Sequence, residues 1–193
     1  MDAARESGVC DRIMVSTEDE EIAAVARTCG AEVPFLRPAE LARDDVPNQK
    51  AIDHALAWLA EREGYVPDAV LILQPTSPLR SGEDIHAAMK LFESSDATSL
   101  VSVSEAATPP HLLRQLESSG RLSAWRAASP PPVNALQREP IYQINGAIYL
   151  DRYPASFDPG APLAYVMPPE RAFDIDTPWD LRLVTALLNL PPS

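Results

Sequence analysis

Asp174-Ile175-Asp176 sets two carboxylates two residues apart with an apolar residue between them. At strand period both acids would point to one side while Ile175 packs to the other. A hard cation such as magnesium would then meet two converging oxygens, with water and substrate phosphates completing its shell. The alternative is that Asp176 only supports the following helix and Asp174 is solvated. Asn145-Gly146-Ala147-Ile148-Tyr149 puts an amide and a phenol on one face of a strand, where both could address a hydroxylated substrate, and its glycine lets a ligand approach the backbone. The same residues also suit an Asn-Gly hairpin turn with Tyr149 in the core. Gln74-Pro75-Thr76-Ser77-Pro78-Leu79-Arg80 adds an amide and two hydroxyls in a loop stiffened by two prolines. Arg37, between Leu36 and Pro38, could clamp a phosphate or stand exposed without a partner. His54, His86 and His111 have neither the nucleophile neighbour of a triad nor zinc spacing, and no catalysis is assigned to them.

Several elements must position these side chains. The apolar run Ala69 to Leu73 reads as a buried strand that delivers the Gln74 loop to the carboxyl edge of an open α/β sheet, where such sheets bind small molecules. Ile13 to Ser16 reads as a strand followed by a helix from Glu18 to Gly30, capped by Ser16 or Thr17. Helical spacing recurs over 48–63 and 82–94, and Pro178 to Asn189 follows the cap residue Thr177. Ser99 to Val103, Ile141 to Leu150 and Tyr165 to Met167 have strand character, while Glu32 to Pro38 is proline-rich and suits an edge. This alternation predicts a three-layer, Rossmann-like α/β domain with a mostly parallel sheet and right-handed crossovers. The stretch from Glu105 to Glu139 breaks the pattern. Pro109, Pro110, Pro130, Pro131 and Pro132 confine it to irregular structure or edge hairpins, and it is expected to form an arm that packs on a partner.

With 193 residues, 46% apolar and 23% charged, the chain suits one well-buried core, so residues 1–193 are read as a single domain. A formal charge of -12 gives no broad positive field for a polyanion, which argues against nucleic acid as a partner. Any phosphate must be met by local cations or a metal. Cys10 and Cys29 have no metal-ligand spacing and no secretory segment accompanies them, so a reducing cytosol is the natural compartment. No apolar run reaches the roughly 20 residues needed to cross a bilayer.

Ile13 to Ala23, Phe35 to Ala42, Leu73 to Arg80, Asn145 to Tyr149 and Asp174 to Thr177 together resemble, in order and over nearly the whole chain, the acylneuraminate cytidylyltransferases. That family comprises CMP-sialic acid synthetases and relatives acting on legionaminic, pseudaminic and similar nine-carbon acids. The resemblance implies that the anomeric hydroxyl of a nonulosonic acid attacks the α-phosphate of CTP and releases pyrophosphate. It further implies magnesium held by Asp174 and Asp176 as the catalytic pair, and Arg37 on the nucleotide side. Gln74, Thr76, Ser77, Asn145, Tyr149 and Arg138 would lie toward the sugar. Residues 106–138 look like the family's dimerisation arm, making a homodimer the expected assembly, with Arg114 or Arg138 reaching into the neighbouring site.

The family normally opens with a strand and a basic, glycine- and serine-containing loop that cradles the triphosphate, and Asp2 to Gly8 resembles the end of the helix that follows them. The expectation is therefore either a coding start further upstream or a remnant with impaired activity. Two other functions share these residues: a catalytically silent sugar- or nucleotide-binding subunit, and a cytidylyltransferase for an eight-carbon ketodeoxy acid. Asn145 to Tyr149 favours the nine-carbon class.

Overall fold

The computed structural model describes residues 1–125, 140–154 and 161–190. Four strands form the central sheet in the order β1 (Ala69–Ile72), β5 (Tyr142–Arg152), β2 (Ser99–Glu105), β6 (Leu163–Val166), and a separate hairpin joins β3 (Arg114–Leu116) to β4 (Leu122–Ala124). β2 and β6 pair in parallel, whereas β5 runs antiparallel to both β1 and β2. Three strands therefore share one direction and the fourth runs against them. The connections explain the difference. A helix carries the chain from β1 over to β2 and preserves direction, while β5 is entered from the hairpin-bearing arm and returns alongside β2.

That crossover helix, α4 (Gly82–Glu93), buries Ile85, Ala88 and Phe92 at spacings of three and four. They pack with Leu100, Ala147, Ile148, Leu150 and Met167 in the main core. Ser81 and Asp84 form a reciprocal capping box at its start. Helix α1 (Asp2–Glu6) lies against it, so closely that a Cβ on Gly82 would come within 2.9 Å of the Glu6 Cβ. Helix α3 (Asn48–Glu63) matches the expected span and ends at Gly64, whose φ of 64° is the left-handed geometry glycine tolerates best. Helix α5 (Pro178–Leu188) starts at Thr177 with a second capping box, closed by Asp180.

Two expectations shift in the N-terminal part. Helix α2 (Glu20–Thr28) is capped by Asp19 rather than by Ser16 or Thr17, because the Asp19 carboxylate accepts the N–H groups of Glu21 and Ile22. The expected strand at Ile13 to Ser16 reduces to one parallel bridge between Met14 and Glu32. Val15 donates to the Glu32 carbonyl at 2.9 Å and Glu32 donates to the Ile13 carbonyl at 2.8 Å. Continuing that ladder would call on the N–H of residue 34, and Pro34 has none. A small second core of Ala23, Ala26, Ala31 and Val33 covers this bridge, with Val15 at its margin. Among the described residues, no helix is long and apolar enough to cross a membrane.

Candidate active site

Gln74, Asn145, Gly146, Tyr149 and Asp174 line one cleft of about 660 Å³, together with Ser104, Glu105, Gln143 and Phe173. Four segments supply them: the loop after β1, the end of β2, the first half and middle of β5, and the stretch between β6 and α5.

Asn145-Gly146 does not form a turn. It sits inside β5, where the pairing with β2 slips: Val101 stands opposite Tyr149, while Val103 stands opposite Ile144. Gly146 absorbs the slip at a φ of 76°. The simple alternation expected for Asn145, Ala147 and Tyr149 is therefore broken, yet both polar side chains still reach the cleft. Asn145 is held from behind, since its Oδ1 accepts the Ser102 hydroxyl at 2.5 Å and the Ala147 N–H at 3.2 Å. Its Nδ2 is buried and has no partner, leaving two N–H groups for a ligand. A Cβ at residue 146 would meet the Gln74 Oε1 at 3.0 Å, so the glycine provides the room in which the Gln74 amide lies against β5.

The loop itself is braced by Arg80. Its guanidinium donates to the carbonyl of Ala147 and, at 3.4 Å, to that of Gln74, which ties the loop to β5. Burial lowers its pKa to about 10, while the nearby charge of Asp84 acts in the other direction. Ser77, within this loop, is wholly buried, its hydroxyl without a hydrogen-bond partner among the described residues. Thr76 accepts the Ile175 N–H on its carbonyl at 2.9 Å, so the main chain of the loop carries the segment that bears both aspartates.

That segment forms no strand; it is an extended linker leading into α5. Asp174 lines the cleft, and one of its carboxylate oxygens is buried without a hydrogen-bond donor, the state of an acceptor awaiting a cation or a hydroxyl. The Tyr149 phenol has its pKa raised by burial first and by the charge of Asp174 second, so it remains a protonated donor at neutral pH. Asp176 is exposed, and its N–H donates to Asp180 at the start of α5. Among the described residues no cluster of three or more His, Cys, Asp or Glu side chains stands together. Asp174 nonetheless fits a metal that draws further ligands from water and phosphate.

Arg37 is half-buried and lies away from the cleft lining. Its guanidinium donates to Glu18 at 2.8 Å, its Nε is buried without a partner, and its N–H is held by the Thr17 carbonyl. Arg138 lies outside the described residues, as does the rest of the arm over 126–139.

No family model matches the chain. Curated relatives do. The chain is 34% identical to the CMP-N,N'-diacetyllegionaminic acid synthase of Legionella pneumophila, an alignment covering 97% of the chain and 82% of that relative. The chain belongs to the acylneuraminate cytidylyltransferase family. It is also 30% identical to the N-acylneuraminate cytidylyltransferase of Escherichia coli over 97% of its length, spanning 44% of that longer protein. Solved structures agree on the fold alone. A 4-diphosphocytidyl-2C-methyl-D-erythritol synthase from Anaerococcus prevotii superposes with a TM-score of 0.62 at 11% identity, over 98% of this chain and 86% of that one. A CMP:2-keto-3-deoxy-manno-octonic acid synthetase gives 0.59 at 13%, over 96% and 85%.

In this family member the sequence reasoning missed Ser104, Glu105 and Gln143, which contribute to the cleft from facing ends of β2 and β5. A run of polar residues within two apolar strands was the available signal. The role of Arg80 has no local signal, because nothing in its neighbours announces a guanidinium that turns back onto carbonyls.

Proposed function

We propose that the chain transfers CMP from CTP to a nine-carbon nonulosonic acid, with magnesium as cofactor and as a homodimer. Family membership supplies the reaction class, and the convergence of Gln74, Asn145, Tyr149 and Asp174 on one cleft carries the substrate assignment. A polyhydroxylated acid needs donors and acceptors fixed in advance, and here the Asn145 amide is held from behind by Ser102 while the Gln74 amide and the protonated Tyr149 phenol line the same cleft.

In the reaction, the anomeric hydroxyl oxygen forms a bond to the α-phosphorus of CTP, the bond from that phosphorus to the pyrophosphate oxygen breaks with pyrophosphate leaving, and the proton of the attacking hydroxyl passes to solvent. A magnesium ion at Asp174 and Asp176 would supply neutralisation of phosphate charge. The protein's own share is to orient the sugar through Asn145, Gln74 and Tyr149 and to keep Asp174 as an acceptor beside the attacking end. Arg37 is assigned to the nucleotide, exchanging its Glu18 partner for a phosphate oxygen.

Exposed Leu112, Leu113, Leu116 and Leu122 around the β3–β4 hairpin, with Ile141, Tyr142 and Ile144 nearby along the chain, support the arm as the dimer contact. Sedimentation of the full chain checks it: a monomer at all micromolar concentrations would remove the homodimer from the proposal.

Pyrophosphate release from CTP and magnesium, measured with a panel of sialic-, legionaminic- and pseudaminic-type acids and one eight-carbon ketodeoxy acid, tests the activity. Release with a nine-carbon acid is expected. Preference for the eight-carbon acid would change the substrate class, and silence with the whole panel would leave a binding subunit in its place.

A further inference from the structure

We propose that Asp84 and Arg171 form a latch that positions Asp174 against the Gln74 loop, making both of them positioning residues for the cleft. The inference rests on the function proposed above for its catalytic consequence, though not for its geometry. Arg171 grips the Asp84 carboxylate with both arms of its guanidinium, Nε to Oδ2 at 2.9 Å and Nη2 to Oδ1 at 2.8 Å. The two residues are 87 positions apart in sequence. Asp84 sits at the first turn of α4, immediately after the Gln74 to Arg80 loop, and Arg171 ends a short 3-10 turn three residues before Asp174.

What the latch does follows from how little else holds this stretch. Past β6, Met167 donates its N–H to the Val103 carbonyl, and the next backbone bond to another part of the chain is that from Ile175 to Thr76. Between them, the backbone bonds among the described residues, Arg171 to Pro168 and Ala172 to Pro169, are internal to the turn. The Arg171 fork is thus the side-chain tie that fixes where the chain lies just before it delivers Asp174.

The receiving end is built for the purpose. Asp84 is 1% exposed and accepts from the Ser81 N–H at 3.0 Å, the Ser81 hydroxyl at 2.8 Å and the Tyr165 hydroxyl at 3.1 Å, besides the fork. Burial works against its charge, but Arg171 and Ser81 outweigh burial and hold the carboxyl below the usual aspartate range. One carboxylate therefore starts helix α4 and receives the turn ahead of Asp174, so the loop wall and the aspartate wall of the cleft share a single anchor.

Hydrogen exchange of the Ile175 amide reads the latch without reference to turnover. In Arg171→Gln, exchange in a peptide containing Ile175 should quicken by about tenfold while a peptide from β2 is unchanged, because the lost charged hydrogen bonds guard a local opening. Arg171→Lys, which keeps the charge but not the fork, should fall between, and it gives the same readout if Arg171→Gln does not fold. In turnover, kcat should drop about tenfold with the KM for CTP little changed, since a misplaced aspartate costs positioning rather than nucleotide binding. Unchanged protection at Ile175, or equal quickening in β2, would overturn the latch. A wild-type chain inactive toward every acid, with the local quickening still seen in Arg171→Gln, would overturn the proposed function and leave the latch standing.

Discussion

The two sides of the molecule are built on different principles. On one side, β1, β5, β2, β6 and α4 close over a core that includes Ile85, Phe92, Leu100, Ile148, Leu150 and Met167, all nearly inaccessible. On the other, α2 and the bridge beside it share a small core of three alanines and Val33, Phe35 packs on His54 and Trp58 of α3, and Ile22 and Val25 on α2 are exposed. Ion pairs do much of the joining there: Arg12 reaches Glu32 and Glu63 and lies over the Tyr65 ring at 5.0 Å. The cleft residues Gln74, Asn145 and Tyr149 stand on the first side and Arg37 on the second. A buried apolar core fixes geometry against every displacement, whereas exposed ion pairs are screened and contribute little each. The wall that carries Gln74, Asn145 and Tyr149 is therefore the firmly packed one, and the Arg37 side is the more readily displaced.

The largest expected effect sharpens this contrast. Ile148→Ala, at a site with no exposed surface between β2 and α4, should lower unfolding free energy by about 2–5 kcal/mol through lost transfer energy and a residual cavity. Denaturant titration followed by far-UV circular dichroism measures it. A loss below about 1 kcal/mol would mean that the main core is no better packed than the N-terminal one.

Next in size is Asp174→Ala. Pyrophosphate release should fall by at least about a hundredfold, while the thermal midpoint moves by only a few degrees, because the lost oxygen is unpartnered in the fold. Retained magnesium-dependent turnover would detach Asp174 from the chemistry. Asp176→Ala should match it if both acids serve one cation, even though Asp176 is exposed and Asp174 faces the cleft.

Much of this division could be read from the residues. Helix 48–63 was legible because its apolar spacing and Gly64 are local signals, and the cleft members Gln74, Asn145, Tyr149 and Asp174 were legible by residue type within short motifs. What escaped depends on partners far away in sequence. The antiparallel course of β5, the register slip at Gly146 and the Arg171 to Asp84 fork are decided by segments dozens of residues apart. Ser77 illustrates the limit. A hydroxyl in a polar loop suggests contact with a ligand, yet packing of that loop onto β5 and α4 encloses it completely.

Arg12→Ala tests the weaker side directly. It removes two ion pairs and one cation–π contact, together worth about 1–2 kcal/mol. The loss should appear locally, as faster exchange at the Val15 and Glu32 amides that make the lone bridge, with exchange in β2 unchanged. A cooperative loss across the whole molecule would break the contrast between the two sides.

The smallest effect concerns two buried carboxylates within the well-packed side. Asp84 receives Arg171, Tyr165 and Ser81, whereas Asp151, only 2% exposed, has the Ser99 hydroxyl on one oxygen and no partner on the other. Burial raises the Asp151 pKa, with Ser99 offsetting part of the rise. A carboxyl whose folded pKa is raised lends stability that is complete below the unfolded value and is lost as pH climbs through the folded one. At neutral pH, above the unfolded value, burying Asp151 is therefore a cost, and Asp151→Asn should gain about 0.5–1 kcal/mol, the relief exceeding the cost of an unpaired amide. Asp84 has the opposite sign: its pKa is lowered, so its stabilisation is full above the ordinary aspartate value and is lost as pH falls through the folded one. The gain from Asp151→Asn, measured by urea titration, should thus shrink as pH falls from 7 toward 4. A pH-independent difference between variant and wild type would mean that folding does not raise the Asp151 pKa and that the two carboxylates do not differ as their partners imply.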